Sequence, residues 1–148
     1  MKDLSTISEE IFATEFGSET GLGLSEASIS GWLQANLGKL NVNLFSCFSG
    51  DNVELDDEAA DIFKSVYMHD YYQKQTVKAL RGVLDASLGD SILEVREGDS
   101  YVKRANKNEM AKTFRSVAND YKADTDLMIA RYQILMSEPR QVVGEDGL

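Results

Sequence analysis

Apolar residues recur at helical spacing in the first third of the chain. Residues 7–16 place their apolar side chains on one helical face and are followed by Gly17. After a segment rich in glycine and serine, Ser25 stands where a helix cap is expected, ahead of a leucine and isoleucine stripe that Trp32 and Phe45 widen. The stripe consists of Ile29, Leu33, Leu37, Leu40 and Leu44. These patterns predict a short N-terminal helix, which we expect to be detachable, and a longer amphipathic helix.

Two long helices are predicted in the remainder of the chain. The acidic residues 56–58 favour a helix start, and the helical pattern then continues without proline to about Ser87. Asn106 and Glu109 have the spacing of a capping box, so the last helix should begin there and extend to Ser137, ahead of Pro139. Its predicted apolar stripe consists of Met110, Phe114, Val117, Tyr121, Met128, Tyr132 and Leu135.

Between these two helices the pattern changes from helical spacing to alternation. Apolar and polar residues alternate on both sides of the turn sequence Glu97-Gly98-Asp99-Ser100. This predicts a small β-hairpin over residues 92–104. Because two strands alone are only marginally stable in water, we expect the hairpin to pack on the helices or on another subunit.

The predicted fold class is mainly α: a helical bundle of three to four helices, with a small β-hairpin inserted before the last long helix and an extended C-terminal tail. Residues 1–24 are predicted to form a short helix and loop, residues 25–138 the bundle with its hairpin, and residues 139–148 the tail. A chain of 148 residues is long enough to bury a core without disulfides or metal.

Charge and composition narrow the classes of function. The net charge of −10, from 25 acidic and 15 basic residues, disfavours general binding to nucleic acid or to anionic lipid. Cys47 is the only cysteine, so no intrachain disulfide can form, which suits a reducing interior. No run approaches the roughly 18 apolar residues of a membrane span, and the N-terminus lacks a secretory signal pattern, so we expect a soluble protein.

The sequence offers no coherent set of catalytic or metal-binding residues, so we expect a protein that is not an enzyme and has no cofactor. His69 and Cys47 are the only residues of their types, which leaves at most a Cys–His pair; we expect both to be structural. The acidic stretch 51–56 has the alternating oxygen ligands of a calcium loop. It lacks the glycine and the glutamate that such a loop needs at its sixth and twelfth positions, so a solvated helix start is the preferred interpretation.

Asp124 interrupts the apolar stripe of the last helix. It lies in the gap between Tyr121 and Met128, where an apolar residue would otherwise be expected. A buried carboxylate there would need a partner, so one interpretation is an intersubunit salt bridge. The alternative is that the helix bends or leaves the core at this position and the carboxylate meets water.

Two stretches carry a resemblance to known proteins. The first is Ile62-Phe63-Lys64-Ser65-Val66-Tyr67 with Tyr71-Tyr72 in the middle helix. The second is Glu97-Gly98-Asp99-Ser100 together with Asn106-Lys107-Asn108-Glu109-Met110-Ala111-Lys112, which leads into the last helix. Both resemble small structural proteins of tailed bacteriophages. The order of long helix, short hairpin, long helix and tail is similar to that of the head-to-tail connector (adaptor) proteins that lie beneath the portal. The similarity covers roughly residues 26–143.

The resemblance implies a structural virion protein of the phage neck, assembled in the host cytoplasm. It implies a dodecameric homo-oligomer ring that docks on the portal protein, joins the head to the next neck or tail component and has no contact with a membrane. The ring extends a channel through which DNA passes without sequence-specific binding. The tail residues implied to bind the portal are Pro139, Arg140, Gln141, Val142 and Val143. The hairpin residues Glu97, Gly98, Asp99 and Ser100 are a second candidate protein contact, and Asp124 is a candidate intersubunit residue.

Two other functions fit the same composition. The chain could be another tail or neck completion subunit, which would share the helical pattern and the lack of a catalytic site. It could also be a small acidic helical regulator that binds a host protein, its acidic surface imitating nucleic acid. Position in the virion particle would identify the first, and a 1:1 complex with a basic host protein would identify the second.

Overall fold

The structure, a computed structural model, describes residues 1–18, 23–50, 52–86, 94–97, 100–103 and 107–137. Within these residues the fold is mainly helical, with four helices and two small antiparallel strand pairs. The helices are α1 (Leu4–Glu15), α2 (Glu26–Leu44), α3 (Asp57–Ala86) and α4 (Lys107–Ser137). The strands are β1 (Lys2–Asp3), β2 (Glu54–Leu55), β3 (Glu94–Glu97) and β4 (Ser100–Lys103).

The predicted mainly α class, with a small hairpin before the last helix, is confirmed. Strands β3 and β4 pair antiparallel with Glu97 opposite Ser100, at the predicted turn. Helix α4 ends at Ser137, as the sequence predicted. Gly98, Asp99 and the tail lie outside the described residues. The roles proposed there, including those of Pro139, Arg140, Gln141, Val142 and Val143, stay predictions.

The chain divides into two compact units. The first unit comprises Met1–Ile62 and Asp126–Leu148, so it draws on both ends of the sequence. The second unit is the continuous segment Phe63–Thr125.

Helices α1 and α2 pack together and supply much of the core of the first unit. Ile7 and Ile11 of α1 are 0% exposed, and so are Ile29 and Leu33 of α2. Helix α1 is therefore part of the core of the first unit, and its detachability stays a prediction. The apolar face of α1 provides the surface that removes α2 from water, which is the main driving force for this packing.

Side-chain caps determine where α2 and α3 begin. Ser25 Oγ accepts a hydrogen bond from Ser28 N at 3.2 Å, and Ser28 Oγ accepts one from Ser25 N at 3.0 Å, which completes a capping box. Asp56 Oδ1 accepts a hydrogen bond from Ala59 N at 3.2 Å. Part of the acidic cluster before α3 thus caps that helix, in line with the helix-start interpretation.

A short strand pair near the N-terminus is a feature that the sequence pattern did not predict. Lys2 lies opposite Leu55 and Asp3 opposite Glu54, in antiparallel register. Asp3 is also the N-cap of α1, and its hydrogen bonds with Thr6 hold the pKa of its carboxyl below the usual value. Strands of two residues are too short to show alternation, so no local signal marks them.

Within the second unit, α3 and α4 run antiparallel. Ser65 bonds to Thr125 and His69 bonds to Ala118, so later positions on α3 meet earlier positions on α4. The buried residues of α4 in this unit recur every seven positions. They are Ala111, Ala118 and Thr125. This spacing is typical of helices that pack along a narrow seam, and the small residues among them allow a close approach.

Asp124 is exposed, whereas its neighbour Thr125 is buried. Thr125 fills the gap in the apolar stripe because its hydroxyl donates a hydrogen bond to Tyr121 O at 2.6 Å within the same helix. Within the chain, the carboxylate of Asp124 therefore faces water, although α4 does not leave the core at this position, because Thr125 is buried. An intersubunit salt bridge from this exposed position stays a prediction.

Candidate protein-interaction site

Exposed apolar side chains gather where α2 and α4 end, in the first unit. Phe45 is 84% exposed, Ile134 62% and Met136 60%. These three residues line a groove of about 680 Å³, together with Leu44 and Tyr132. We call this surface the apolar end and define it by Phe45, Ile134 and Met136. Single exposed apolar residues are ordinary, but several around one groove mark an interaction surface.

Hydrogen bonds between distant parts of the sequence fix the base of the apolar end. Gln133 Nε2 donates to Asn43 O at 2.7 Å, which joins α4 to α2. The hydroxyl of Tyr132 donates to Asp56 Oδ2 at 3.1 Å, which joins α4 to the cap of α3. The groove is therefore formed in advance of binding, and a partner would not have to order it.

Phe45 ends α2 in a backbone conformation that glycine usually adopts. Its φ is 52° and its ψ 38°, in the left-handed region, and its N–H bonds to Asn41 O. This conformation costs an L-residue roughly 1–2 kcal/mol. Burial of the ring does not offset that cost, because the side chain is exposed. A strained and exposed aromatic residue is unfavourable for the isolated chain, which points to a role in binding.

The last turn of α4 exposes three consecutive apolar residues, Ile134, Leu135 and Met136. Successive side chains on a helix point about 100° apart, so one neighbouring surface within the fold cannot cover all three. A run of exposed apolar residues is unfavourable in water, so its presence favours a functional role for these residues. This turn therefore presents apolar surface in more than one direction from the end of the helix.

The two residues considered for chemistry have different surroundings. His69 Nδ1 lies 2.7 Å from Ala118 O, and because a carbonyl oxygen only accepts, Nδ1 carries the proton and donates. Cys47 is exposed in the segment that follows α2. In the part of the chain that the structure describes, no group of three or more His, Cys, Asp or Glu residues is placed to hold a metal ion.

Burial raises the pKa of two tyrosines to about 12, from an ordinary value of 10.0. For Tyr67 the nearby Tyr71 and Asp70 add to the effect of burial. For Tyr132 the negative charge of Asp56 and the hydrogen bond to it add to that effect. Both hydroxyls therefore remain protonated in the folded chain across the neutral range.

We expect Tyr132→Phe to reduce the loss of stability at high pH. The unfolded chain releases the tyrosine proton near pH 10.0, whereas the folded chain holds it to about pH 12. The contribution of the protonated Tyr132 hydroxyl to the stability of the fold is therefore complete below pH 10.0 and is lost as the pH rises toward 12. Urea denaturation at a series of pH values would measure it. Parallel pH dependences for the wild-type protein and the variant would contradict the expectation.

Among the described residues, those that the sequence analysis singled out as site residues do not line the groove at the apolar end. Asp124 lies on an exposed face of α4, and Glu97 and Ser100 lie at the facing ends of β3 and β4. In the sequence pattern Phe45 widens the apolar stripe of α2, although it lies just beyond the last helical residue. The signal that could have revealed the site is the run Ile134-Leu135-Met136, directly before the predicted end of the last helix.

Among the described residues, no helix combines the length and the apolar character needed to cross a membrane. A comparison of the chain with protein-family models, with curated proteins and with solved structures finds no match. The function is therefore inferred from the residues and their geometry.

Proposed function

We propose that this chain is a structural assembly protein that binds other proteins through the apolar end, and that it is a head-to-tail connector subunit of a bacteriophage neck. The observation that carries the proposal is the exposure of Phe45, Ile134 and Met136 around one groove with a hydrogen-bonded base. As a connector, the chain would form a homo-oligomer ring, dock on the portal protein and join it to the next neck or tail component.

Burial of the apolar end would supply the binding energy. Fully burying a Phe, Ile or Met side chain contributes about 1.5–3 kcal/mol, and most of this surface is still in contact with water. Aromatic residues at the centre of an interface commonly contribute most to affinity, which favours Phe45 as the main anchor. The polar residues Ser46, Gln133 and Ser137 also line the groove and would orient a partner through hydrogen bonds.

The charge of the chain is consistent with a role around a DNA channel. A net charge of −10 repels the phosphate backbone, so a wall made of such subunits would not retain passing DNA. The order of long helix, hairpin and long helix, in which the chain is similar to connector proteins, supports the same assignment.

The proposal is tested by Phe45→Gly, which separates binding from folding. Glycine adopts the left-handed conformation without strain, so the variant should be as stable as the wild-type protein or more stable by up to about 1 kcal/mol. Its affinity for the portal protein should nevertheless decrease at least about tenfold, because the aromatic anchor is lost. Light scattering after size exclusion would detect the complex with purified portal protein. A binding titration would compare the affinities of the wild-type protein and of Phe45→Gly.

Met110→Ser is the matched control, since Met110 is also an exposed apolar residue of α4 but lies near the start of that helix. It should bind the portal as the wild-type protein does. Unchanged portal binding by Phe45→Gly, or no portal complex with the wild-type protein, would refute the proposal. Binding to a tail component alone would instead indicate a tail or neck completion subunit, and a 1:1 complex with a basic host protein would indicate a regulator.

A further inference from the structure

A second groove, of about 690 Å³, lies in the second unit and is lined by basic side chains beside apolar ones. We call it the basic groove. Its basic residues are Lys74, Lys78 and Arg81 of α3 and Arg115 of α4, and its exposed apolar residues are Val77 and Leu80. Positions 74, 78 and 81 follow helical spacing, so the three α3 cations form one row along the helix.

Most of the positive charge in the basic groove is not neutralised locally. Lys74 Nζ lies 2.7 Å from Asp70 Oδ2, one turn earlier on α3. Lys78, Arg81 and Arg115 form no ion pair with any side chain that the structure describes. The groove therefore offers three cations beside exposed aliphatic surface. Its complement is a surface that combines carboxylates with an apolar hollow.

The two units differ strongly in charge. The second unit, residues 63–125, contains 11 lysines and arginines against 9 aspartates and glutamates. The remaining sequence contains 4 basic residues against 16 acidic ones. The net charge of −10 therefore comes from the first unit, and a second copy of the chain provides the acidic protein surface that the basic groove would attract.

The first unit carries a small hollow that combines two carboxylates and one guanidinium with apolar walls. Glu58 and Asp61 of α3 line it, with Met128 and Leu135 of α4 as apolar walls; Arg131 also contributes. Its volume of about 200 Å³ suits one aliphatic side chain. We call it the acidic hollow. Leu135 is one of the strongly exposed apolar residues, so apolar surface remains to be covered here too.

We propose that the basic groove of one copy binds the acidic hollow of a second copy. Val77 or Leu80 enters the hollow, and Lys78 and Arg81 face the carboxylates at its rim. The two surfaces differ, so each copy can bind one neighbour through its groove and another through its hollow, and such a contact builds a ring when the rotation between copies closes. This inference rests on the proposed function, which requires repeated copies, and it identifies the residues that join them.

Nucleic acid is the competing occupant of the basic groove. The exposed aliphatic residues Val77 and Leu80 offer no partner to a phosphate backbone, and they do match an apolar hollow. A phosphate backbone provides negative charge without an apolar hollow, whereas the first unit of another copy provides both. The observations therefore favour a second copy.

Paired charge reversal tests the contact in the full-length protein. One variant carries Lys78→Glu and Arg81→Glu, and the other carries Glu58→Lys and Asp61→Lys. Each variant alone should associate with itself at least about tenfold more weakly than the wild-type protein, because like charges then face each other. An equimolar mixture should restore association, since the reversed groove of one variant matches the reversed hollow of the other. Analytical ultracentrifugation measures all four samples.

Lys112→Glu with Lys122→Glu is the control. It changes the net charge by the same amount as Lys78→Glu with Arg81→Glu, but at exposed positions of α4 outside the groove. It should leave self-association unchanged. Circular dichroism establishes that each variant is as helical as the wild-type protein. Raising the salt concentration from about 50 mM to about 500 mM should weaken wild-type association about tenfold through screening.

Three results would overturn the inference. They are a wild-type protein that stays monomeric at low salt, a mixture of variants that fails to associate, and duplex DNA that binds the basic groove in place of a second copy. None of these results depends on the portal titration with Phe45→Gly. A chain that binds the portal but does not associate with itself would refute this contact between copies and leave portal binding at the apolar end standing, and the reverse result would refute the portal assignment alone.

Discussion

Replacing Ile11 by alanine is expected to lower the free energy of unfolding by about 2–5 kcal/mol. Ile11 is fully buried on α1, and α1 packs against α2 in the core of the first unit. The shorter side chain loses its burial and leaves a cavity that rigid neighbouring helices can close only in part. Urea denaturation followed by circular dichroism would measure the change.

Ala13→Ser is the matched control for this prediction. Ala13 lies on the exposed face of the same helix, so its substitution should change stability by less than about 0.5 kcal/mol. If Ile11→Ala had an equally small effect, α1 would contribute little to the fold and would be detachable after all.

Replacing Thr125 by valine is expected to cost about 1–3 kcal/mol, more than Ser65→Ala. The two hydroxyl oxygens lie 2.6 Å apart in a buried position. Thr125 Oγ1 donates to Tyr121 O at 2.6 Å, so the hydroxyl of Ser65 is the donor between the two residues. Removing the Thr125 hydroxyl leaves Ser65 with only a 3.4 Å contact to Tyr121 O, whereas Thr125 keeps its own bond when Ser65 is shortened.

A double-mutant cycle measured by urea denaturation would test this asymmetry. The double variant should be more stable than Thr125→Val alone, because no buried donor is left without an acceptor. Thr125→Ser keeps the hydroxyl and reports the loss of the methyl group separately. Equal and additive costs for the two single substitutions would show that the hydroxyls do not form the inferred chain of hydrogen bonds.

Helix starts and the hairpin could be predicted because their signals are local. The cap at Ser25, the acidic residues before α3 and the change of period before β3 each involve a few neighbouring residues. The β1–β2 pair could not be predicted, since Lys2 and Leu55 are distant in sequence and two residues carry no periodic signal. For the same reason the sequence did not show that α1 belongs to the core.

The seam of α4 was predicted only in part. The periodic pattern selected large apolar residues, but Met110 and Leu135 are exposed, while Ala111 and Ala118 are buried. Small residues contribute little to an apolar pattern, although they permit close contact between helices. A buried hydroxyl such as that of Thr125 gives no signal at all until its partner on the facing helix is known.

The candidate site was the least predictable feature. Phe45 continues the apolar stripe of α2, and nothing in the pattern shows that the helix ends one residue earlier in a left-handed cap. The exposure of Ile134 and Met136 depends on where α4 ends relative to α2, a tertiary relation. The basic groove likewise combines residues that are 34 or more positions apart, such as Arg81 and Arg115.

The discontinuous first unit has a consequence for synthesis on the ribosome. The groove at the apolar end needs Asn43 and Gln133, which are 90 positions apart, to be joined. Residues 63–125 are continuous in sequence, but the first unit must wait until its share of α4 has been translated. A prematurely terminated polypeptide would therefore lack the groove at the apolar end.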